Sequence, residues 1–130
     1  MAVGTNPHGC APLAEWWDRH RWALQKGVDP CVADELDGVS CPSAQTCAAV
    51  GSFDVGACNG DIDYFVSVLG FWKRGRWSLH RTPKLACAEH AKPSNEGATA
   101  GAVSCKTATT CTAIGSNNRG SIIERWNGRH

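Results

Sequence analysis

The sequence has no excess of charge of either sign and no long hydrophobic run. Thirteen Lys and Arg stand against twelve Asp and Glu, which leaves a formal net charge of +1 in 130 residues. A chain this close to neutral has no electrostatic attraction for nucleic acid, so we expect no nucleic-acid partner. The longest apolar stretch, Phe65 to Trp72, is interrupted by Ser67 and Gly70. Because a bilayer span needs roughly 20 apolar residues, the sequence predicts no transmembrane helix.

The familiar catalytic motifs are also missing. There is no Gly-x-Ser-x-Gly, no phosphate-binding loop, no dinucleotide fingerprint and no HExxH spacing among the five histidines. The sequence therefore predicts a protein that is not an enzyme and that needs no cofactor and no metal. Residues 1–6 have neither a cationic start nor an apolar run, so we expect no secretory signal peptide in the chain as given.

Cysteine, in contrast, is abundant. Eight cysteines occur in 130 residues, and reducing compartments rarely keep so many thiols without a metal or a redox role. The even number favours four disulfides. We therefore expect an extracellular or cell-surface location, reached by an export route that the first residues do not reveal or as a piece of a longer secreted protein.

An internal repeat organises the chain. Val39-Ser40-Cys41, five residues and Cys47-Ala48-Ala49-Val50-Gly51-Ser52 recur with identical spacing from Val103 to Ser116. Ala2 to Thr5 match the end of this motif and form a third, partial copy. A fixed repeat indicates an array of similar structural units.

A second element, Trp-x4-Trp, follows the first. It occurs from Trp17 to Trp22 and from Trp72 to Trp77, and Ile123 to His130 begin a third copy. Turn residues between two runs rich in aromatic and β-branched residues are typical of a β-hairpin. Roughly 45 residues per unit is the length of a four-stranded propeller blade.

The repeat predicts an all-β fold of antiparallel, four-stranded, blade-like repeats. This partial β-propeller holds about two and a half units in one domain, 1–130, divided into a partial unit 1–31, a full unit 32–99 and a partial unit 100–130. Predicted strands are Leu36–Cys41, Cys47–Ser52, Asp63–Trp72, Arg76–Arg81, Ala102–Cys105, Cys111–Ser116 and Ser121–Trp126. The three units then hold three, four and three strands. The competing interpretation is an amphipathic helix over Glu15 to Lys26.

These motifs resemble the tandem Val-Ser-Cys … Cys-x-Ala-Val-Gly … Glu-Arg-Trp-Asn-Gly-x-x-Trp repeats of secreted bacterial proteins of β-propeller type. The resemblance covers nearly the whole chain. It implies a propeller-like array that serves as an extracellular binding or scaffold module, and it brings no shared catalytic residues. Because the first unit lacks an opening strand and the last lacks a closing one, a complete propeller is not expected.

The repeat also selects among the 105 ways of pairing eight cysteines. Cys41 with Cys47 and Cys105 with Cys111 join adjacent strands across a short turn. The other four cysteines lie before and after equivalent hairpins, which predicts Cys10 with Cys31 and Cys58 with Cys87. Zinc is the alternative, but Cys-x5-Cys is not the Cys-x2–4-Cys spacing of structural zinc sites.

Candidate binding residues lie in and beside the hairpin turns. Trp16 is predicted to point away from its neighbour Trp17 and to be exposed, where it would stack on a sugar or anchor a protein. Cations recur at the equivalent turn of each unit and predict one basic rim for an anionic glycan or an acidic protein surface. They are Arg19, Arg21, Lys73, Arg74, Arg76 and Arg129.

The sequence thus favours a non-catalytic extracellular binding or scaffold module for protein or carbohydrate surfaces, as part of a larger chain or assembly. One alternative is a small secreted disulfide-rich effector or inhibitor, whose function would lie in a loop such as Ala88 to Thr99. Another is a hydrolase on a propeller scaffold, which would need acidic residues gathered from several blades.

Overall fold

The computed structural model describes residues 1–5, 12–25, 33, 35–54, 65–81, 98–117 and 120–128. Within these residues ten β-strands are formed, with no helix long and apolar enough to cross a membrane. The strands are β1 Ala2–Thr5, β2 Pro12–Trp17, β3 Trp22–Leu24, β4 Glu35–Ser43, β5 Thr46–Asp54, β6 Phe65–Lys73, β7 Arg76–Arg81, β8 Ala98–Thr107, β9 Thr110–Asn117 and β10 Gly120–Trp126.

The strands form three antiparallel sheets. Sheet 1 is β1-β2-β3, sheet 2 is β4-β5-β6-β7 and sheet 3 is β8-β9-β10, each with its strands in chain order. In the described residues the sheets thus hold three, four and three strands, as the repeat predicts. The predicted all-β, antiparallel architecture is confirmed in the form of three separate sheets.

The Trp-x4-Trp element forms a hairpin in sheets 1 and 2. Trp17 lies opposite Trp22 with ring centroids 5.5 Å apart, and Trp72 lies opposite Trp77. A cross-strand aromatic pair of this kind stabilises a hairpin by about 0.5 to 1 kcal/mol. The helical alternative for residues 15–26 is therefore wrong, because this segment contains paired strands.

Two of the four predicted disulfides lie in the described residues, and both are confirmed. Cys41–Cys47 links β4 to β5 and Cys105–Cys111 links β8 to β9, each across six positions of sequence. Both tie the ends of a short turn between adjacent strands. The predicted pairs Cys10–Cys31 and Cys58–Cys87 lie outside the described residues.

The glycine of the Ala-[Val/Ile]-Gly motif is required by a close approach between strands. A Cβ on Gly51 would overlap the carbonyl oxygen of Glu35 and lie 2.8 Å from the Cα of Leu36. Gly115 has the same surroundings in sheet 3, where its neighbours are Thr99 and Ala100. Both glycines lie beside a shift in strand register, as a β-bulge in the first strand produces.

Sheet 2 lies between sheets 1 and 3. We call the side of a sheet that is directed toward the next sheet along the chain its forward face, and the opposite side its rear face. Trp16, on the forward face of sheet 1, stacks on Trp72, on the rear face of sheet 2, at 5.0 Å and 19°. Phe71, on the forward face of sheet 2, contacts Trp126, on the rear face of sheet 3, at 5.0 Å and 40°.

The core is concentrated in sheet 2 because both of its faces are covered. Its fully buried side chains include Leu36, Val50, Val66 and Val68. The first strands of sheets 2 and 3 also approach closely, since a Cβ on Gly38 would lie 3.0 Å from the carbonyl oxygen of Gly101. The backbone N–H of Cys105 donates to Ser40 Oγ at 3.0 Å, so a polar contact joins the same two strands.

Candidate functional site

Trp16 does not have the exposed position predicted for it. Alternation along β2 directs it away from Trp17, as expected, but that direction is toward sheet 2, where it is half-buried against Trp72. Trp17 is the exposed member of the pair. The prediction that Trp16 offers a free aromatic ring is therefore wrong, because the forward face of sheet 1 is an interface between sheets.

The turn of sheet 1 carries two of the predicted cations, Arg19 and Arg21, and both are exposed. Asp18 organises this turn: its carboxylate accepts the backbone N–H groups of His20 and Arg21 at 2.8 Å each. The hydrogen bond from the Arg21 backbone, followed by that from the His20 backbone, holds the pKa of Asp18 below its ordinary value. The Nε of Arg21 also lies 3.6 Å from Asp18 Oδ2, so the carboxylate offsets part of the positive charge of this turn.

The turn of sheet 2 carries Lys73, Arg74 and Arg76, all exposed. Arg74 and Gly75 both have positive φ, 51° and 85°, as a two-residue type I′ hairpin turn requires. The backbone N–H of Arg74 donates to the carbonyl oxygen of Gln45 at 3.1 Å, which places these cations beside the turn that Cys41–Cys47 closes.

The five described cations thus lie in equivalent hairpin turns of adjacent sheets. The stacking of Trp16 on Trp72 brings these hairpins side by side. Arg129, the sixth predicted cation, lies outside the described residues. The loop Ala88–Thr99, which the effector alternative depends on, lies outside them too, apart from Ala98 and Thr99.

A cleft between sheets 2 and 3 opens at the same end of the molecule. It has a volume of about 290 Å³, and Lys73 stands at its edge. Phe71 and Trp126 form an aromatic wall with ring centroids 5.0 Å apart. Both rings are half-buried, so each keeps part of its surface available to a ligand.

Polar side chains surround the aromatic wall. His80 lies 6.3 Å from Phe71 between ring centroids, and the remaining polar lining comes from Thr46, Ser78 and Thr109. The described residues that line the cleft include hydroxyl, imidazole and ammonium groups but no carboxylate. This chemistry is suited to hydrogen bonding and stacking with a polar ligand.

The disulfides hold the walls of the cleft in place. Cys47, Cys105 and Cys111 line it, and each disulfide closes the turn beside a polar wall residue, Thr46 in sheet 2 and Thr109 in sheet 3. A site whose walls are fixed before binding loses less conformational entropy when a ligand enters. The two described disulfides, which the repeat predicts, therefore also position the residues of the site.

Sequence reasoning missed Phe71, Trp126 and His80 as site residues. A signal was present, since Phe71 precedes Trp72 and must therefore point to the opposite face of its strand. The sequence pattern does not reveal that the forward face of sheet 2 and the rear face of sheet 3 leave a cleft between them. The width of that cleft depends on how the two sheets pack.

Two other acidic residues, Glu35 and Asp37, lie on the first strand of sheet 2, away from the turns that carry the cations. Ser52 Oγ, which is fully buried, donates to Glu35 Oε1 at 2.6 Å. Desolvation by the surrounding chain, followed by the charge of Glu35, raises the pKa of Asp37 above its ordinary value. This pair of carboxylates is not among the described residues that line the cleft.

Comparison with known proteins adds no family to this description. No protein-family model, no curated protein and no solved structure matches the chain.

Proposed function

We propose that this chain is a non-catalytic, extracellular recognition module that binds carbohydrate in the cleft between sheets 2 and 3. The observation that carries the proposal is the aromatic pair Phe71 and Trp126, which borders an open cleft beside a basic turn. Aromatic faces stack on the apolar side of sugar rings, while hydroxyl and imidazole groups hydrogen-bond to the sugar hydroxyls. The cleft, at about 290 Å³, accommodates a small ligand or the end of a longer glycan.

Charge at the edge of the cleft favours an anionic glycan. Lys73 lines the cleft, and Arg74 and Arg76 follow in the same exposed turn. Attraction between exposed charges is screened at high ionic strength. We therefore expect sugars with carboxylate or sulfate groups to bind more tightly than neutral ones, and salt to reduce the difference.

The extracellular location and the propeller-type organisation belong to the same proposal. Two described disulfides are compatible with an oxidising environment. The repeat motifs resemble those of secreted bacterial propeller-type proteins, and three stacked antiparallel sheets are compatible with consecutive blades of an open array. The absence of a catalytic role rests on the lack of sequence motifs and on the lining of the cleft, whose described residues hold no carboxylate pair.

The test is a binding titration with matched neutral, uronate-containing and sulfated oligosaccharides. The disulfide-bonded protein is titrated at low and at high salt. We expect Trp126→Ala to weaken binding at least tenfold, and His80→Ala and Lys73→Ala to weaken it less. The Lys73 effect should disappear for the neutral sugar.

Trp22→Ala is the matched control. It removes an exposed tryptophan from the rear face of sheet 1, away from the cleft, and should leave glycan affinity unchanged. Equal losses for Trp126→Ala and Trp22→Ala would contradict the proposed site. Failure of the folded protein to bind any sugar of the series would contradict carbohydrate recognition and return attention to a protein surface.

A further inference from the structure

The two end faces of the sheet stack are both apolar and exposed. On the forward face of sheet 3, Ile114 is 53% and Ile123 is 70% exposed, and they border a shallow depression of about 500 Å³. On the rear face of sheet 1, Trp17 is 44% exposed, and its neighbours Trp22 and Leu24 are exposed as well. Apolar side chains clustered in this way mark a surface of interaction.

The internal interfaces show what covers faces of these two kinds. Val50 is the sheet 2 counterpart of Ile114, and it is 1% exposed because sheet 3 covers it. Trp72 is the sheet 2 counterpart of Trp17, and it is 8% exposed because sheet 1 covers it. A forward face is thus covered by the rear face of the sheet that follows.

One side-chain contact recurs at both internal interfaces. The forward-facing residue before the repeated tryptophan of one sheet meets the repeated tryptophan of the next: Trp16 meets Trp72, and Phe71 meets Trp126. In sheet 3, the residue equivalent to Trp16 and Phe71 is Arg125, which is exposed. In sheet 1, the residue equivalent to Trp72 and Trp126 is Trp17.

We propose that a second copy of this chain stacks head to tail, with the rear face of its sheet 1 on the forward face of sheet 3. The repeated geometry then places the Arg125 guanidinium over the indole of Trp17 of the second copy. Arginine over a tryptophan face within about 6 Å is a favourable cation–π pair.

Charge on the two faces is complementary. Arg125 lies on the forward face of sheet 3, because it is next to Trp126 in β10 and successive residues of a strand point to opposite faces. Glu15 lies on the rear face of sheet 1, opposite Leu24 and on the same side of β2 as Trp17. Opposite charges on the two end faces favour head-to-tail contact, whereas two like faces would bring two arginines or two glutamates together.

The contact is heterologous, since each copy uses two different faces. Heterologous contacts generate a ring when the rotation closes and an open filament when it does not. Either product leaves the cleft between sheets 2 and 3 within each copy, so this inference is independent of the proposed carbohydrate site.

The test begins with native mass from light scattering, on oxidised protein from about 1 to about 200 µM, because mass action makes association depend on concentration. The wild type should reach at least twice its chain mass of 13.9 kDa. Arg125→Glu and Ile123→Glu, on the forward face, should each restore the single-chain mass. Trp17→Glu, on the rear face, should do the same, while Arg76→Glu in the exposed turn of sheet 2 should not.

Mixing distinguishes head-to-tail contact from a symmetric one. The Arg125→Glu chain keeps an intact rear face and the Trp17→Glu chain keeps an intact forward face, so an equimolar mixture should form a one-to-one pair although neither assembles alone. Circular dichroism and non-reduced mass spectra establish that each variant is folded and disulfide-bonded. A wild type that stays monomeric throughout the range, or a mixture of folded variants that forms no pair, would overturn the proposal.

Discussion

Sheets 2 and 3 carry the same Val-Ser-Cys-x5-Cys-x-Ala-[Val/Ile]-Gly motif, but their equivalent residues are buried to very different extents. In sheet 2, Ala48, Ala49 and Val50 are all buried, whereas in sheet 3 Ile114 is more than half exposed. The bulge, the disulfide and the close approach at glycine are nonetheless the same in both. Features made within a sheet are therefore repeated, while burial depends on the neighbouring sheet.

This difference predicts which substitutions should have equal effects in the two sheets. Positions whose role lies within a sheet should respond alike, and positions whose role lies between sheets should not. The predictions that follow compare matched positions, from the largest expected effect to the smallest.

The glycines of the motif should give the largest and most equal effects. Gly51→Ala and Gly115→Ala each force a Cβ against the backbone of the first strand, and such overpacking should cost about 3 kcal/mol of unfolding free energy. Gly4 is the matched control, because a Cβ there meets nothing within 4 Å, and Gly4→Ala should change stability by less than about 0.5 kcal/mol. Urea unfolding monitored by circular dichroism measures all three, and a tolerated Gly115→Ala would break the equivalence of the two sheets.

The two described disulfides should also contribute equally. Both close loops with a sequence separation of six, so the chain-entropy model assigns each about 2 kcal/mol through the unfolded state. We expect the double variants Cys41→Ala/Cys47→Ala and Cys105→Ala/Cys111→Ala to lose the same unfolding free energy without added reductant. A loss confined to one pair would show that native-state packing, rather than loop closure, decides the contribution.

Positions between sheets should separate the two repeats. Val50→Ala removes two buried methyl groups at about 0.8 kcal/mol each, which predicts a loss of about 1.6 kcal/mol, whereas Ile114→Ala removes exposed atoms and should cost less than about 0.5 kcal/mol. Both variants are measured at a concentration where the wild type is monomeric, since association would bury Ile114. Equal losses would mean that the forward face of sheet 3 is covered within a single chain.

The repeat made much of this fold predictable, for reasons that particular residues illustrate. The pairing of Cys41 with Cys47 is predictable from sequence because the repeat places two cysteines, with the same spacing, on either side of the same short turn in both copies. The strand containing Trp72 could be placed from its aromatic and β-branched residues, and it ends at Lys73, one residue later than predicted. Alternation places Trp16 on the face opposite Trp17, and the structure agrees, since alternation is a local property of a strand.

What escaped prediction depends on contacts between sheets. Whether Trp16 is free or covered is decided by Trp72, which is 56 positions away in sequence and belongs to another sheet. The cleft beside Phe71 and Trp126 has the same origin, because its width is set by the packing of sheet 3 on sheet 2. Local patterns determine which face a residue occupies, but they do not determine what lies against that face.

The smallest predicted effect compares the hairpin turns of sheets 1 and 2 under acid. Asp18 accepts two backbone N–H groups in the first turn, whereas the second turn depends on the positive φ of Arg74 and Gly75. Because its pKa in the folded state lies below the ordinary 3.8, the folded turn binds a proton more weakly than the unfolded chain does. The contribution of Asp18 is therefore fully present above pH 3.8 and is lost as the pH falls through the lowered pKa.

The NMR amide shifts of His20 and Arg21 should therefore titrate with a midpoint below 3.8, while the amide of Gly75 stays unchanged over the same range. Asp18→Ala should abolish the titration and leave the sheet 2 turn unaffected. A midpoint above 3.8 would mean that the carboxylate is not held by the two backbone donors. In the sheet 1 turn, Arg19 rather than glycine has the positive φ, at 81°. The titration therefore tests whether this turn depends on the Asp18 carboxylate, whereas the sheet 2 turn relies on the positive φ of Arg74 and Gly75.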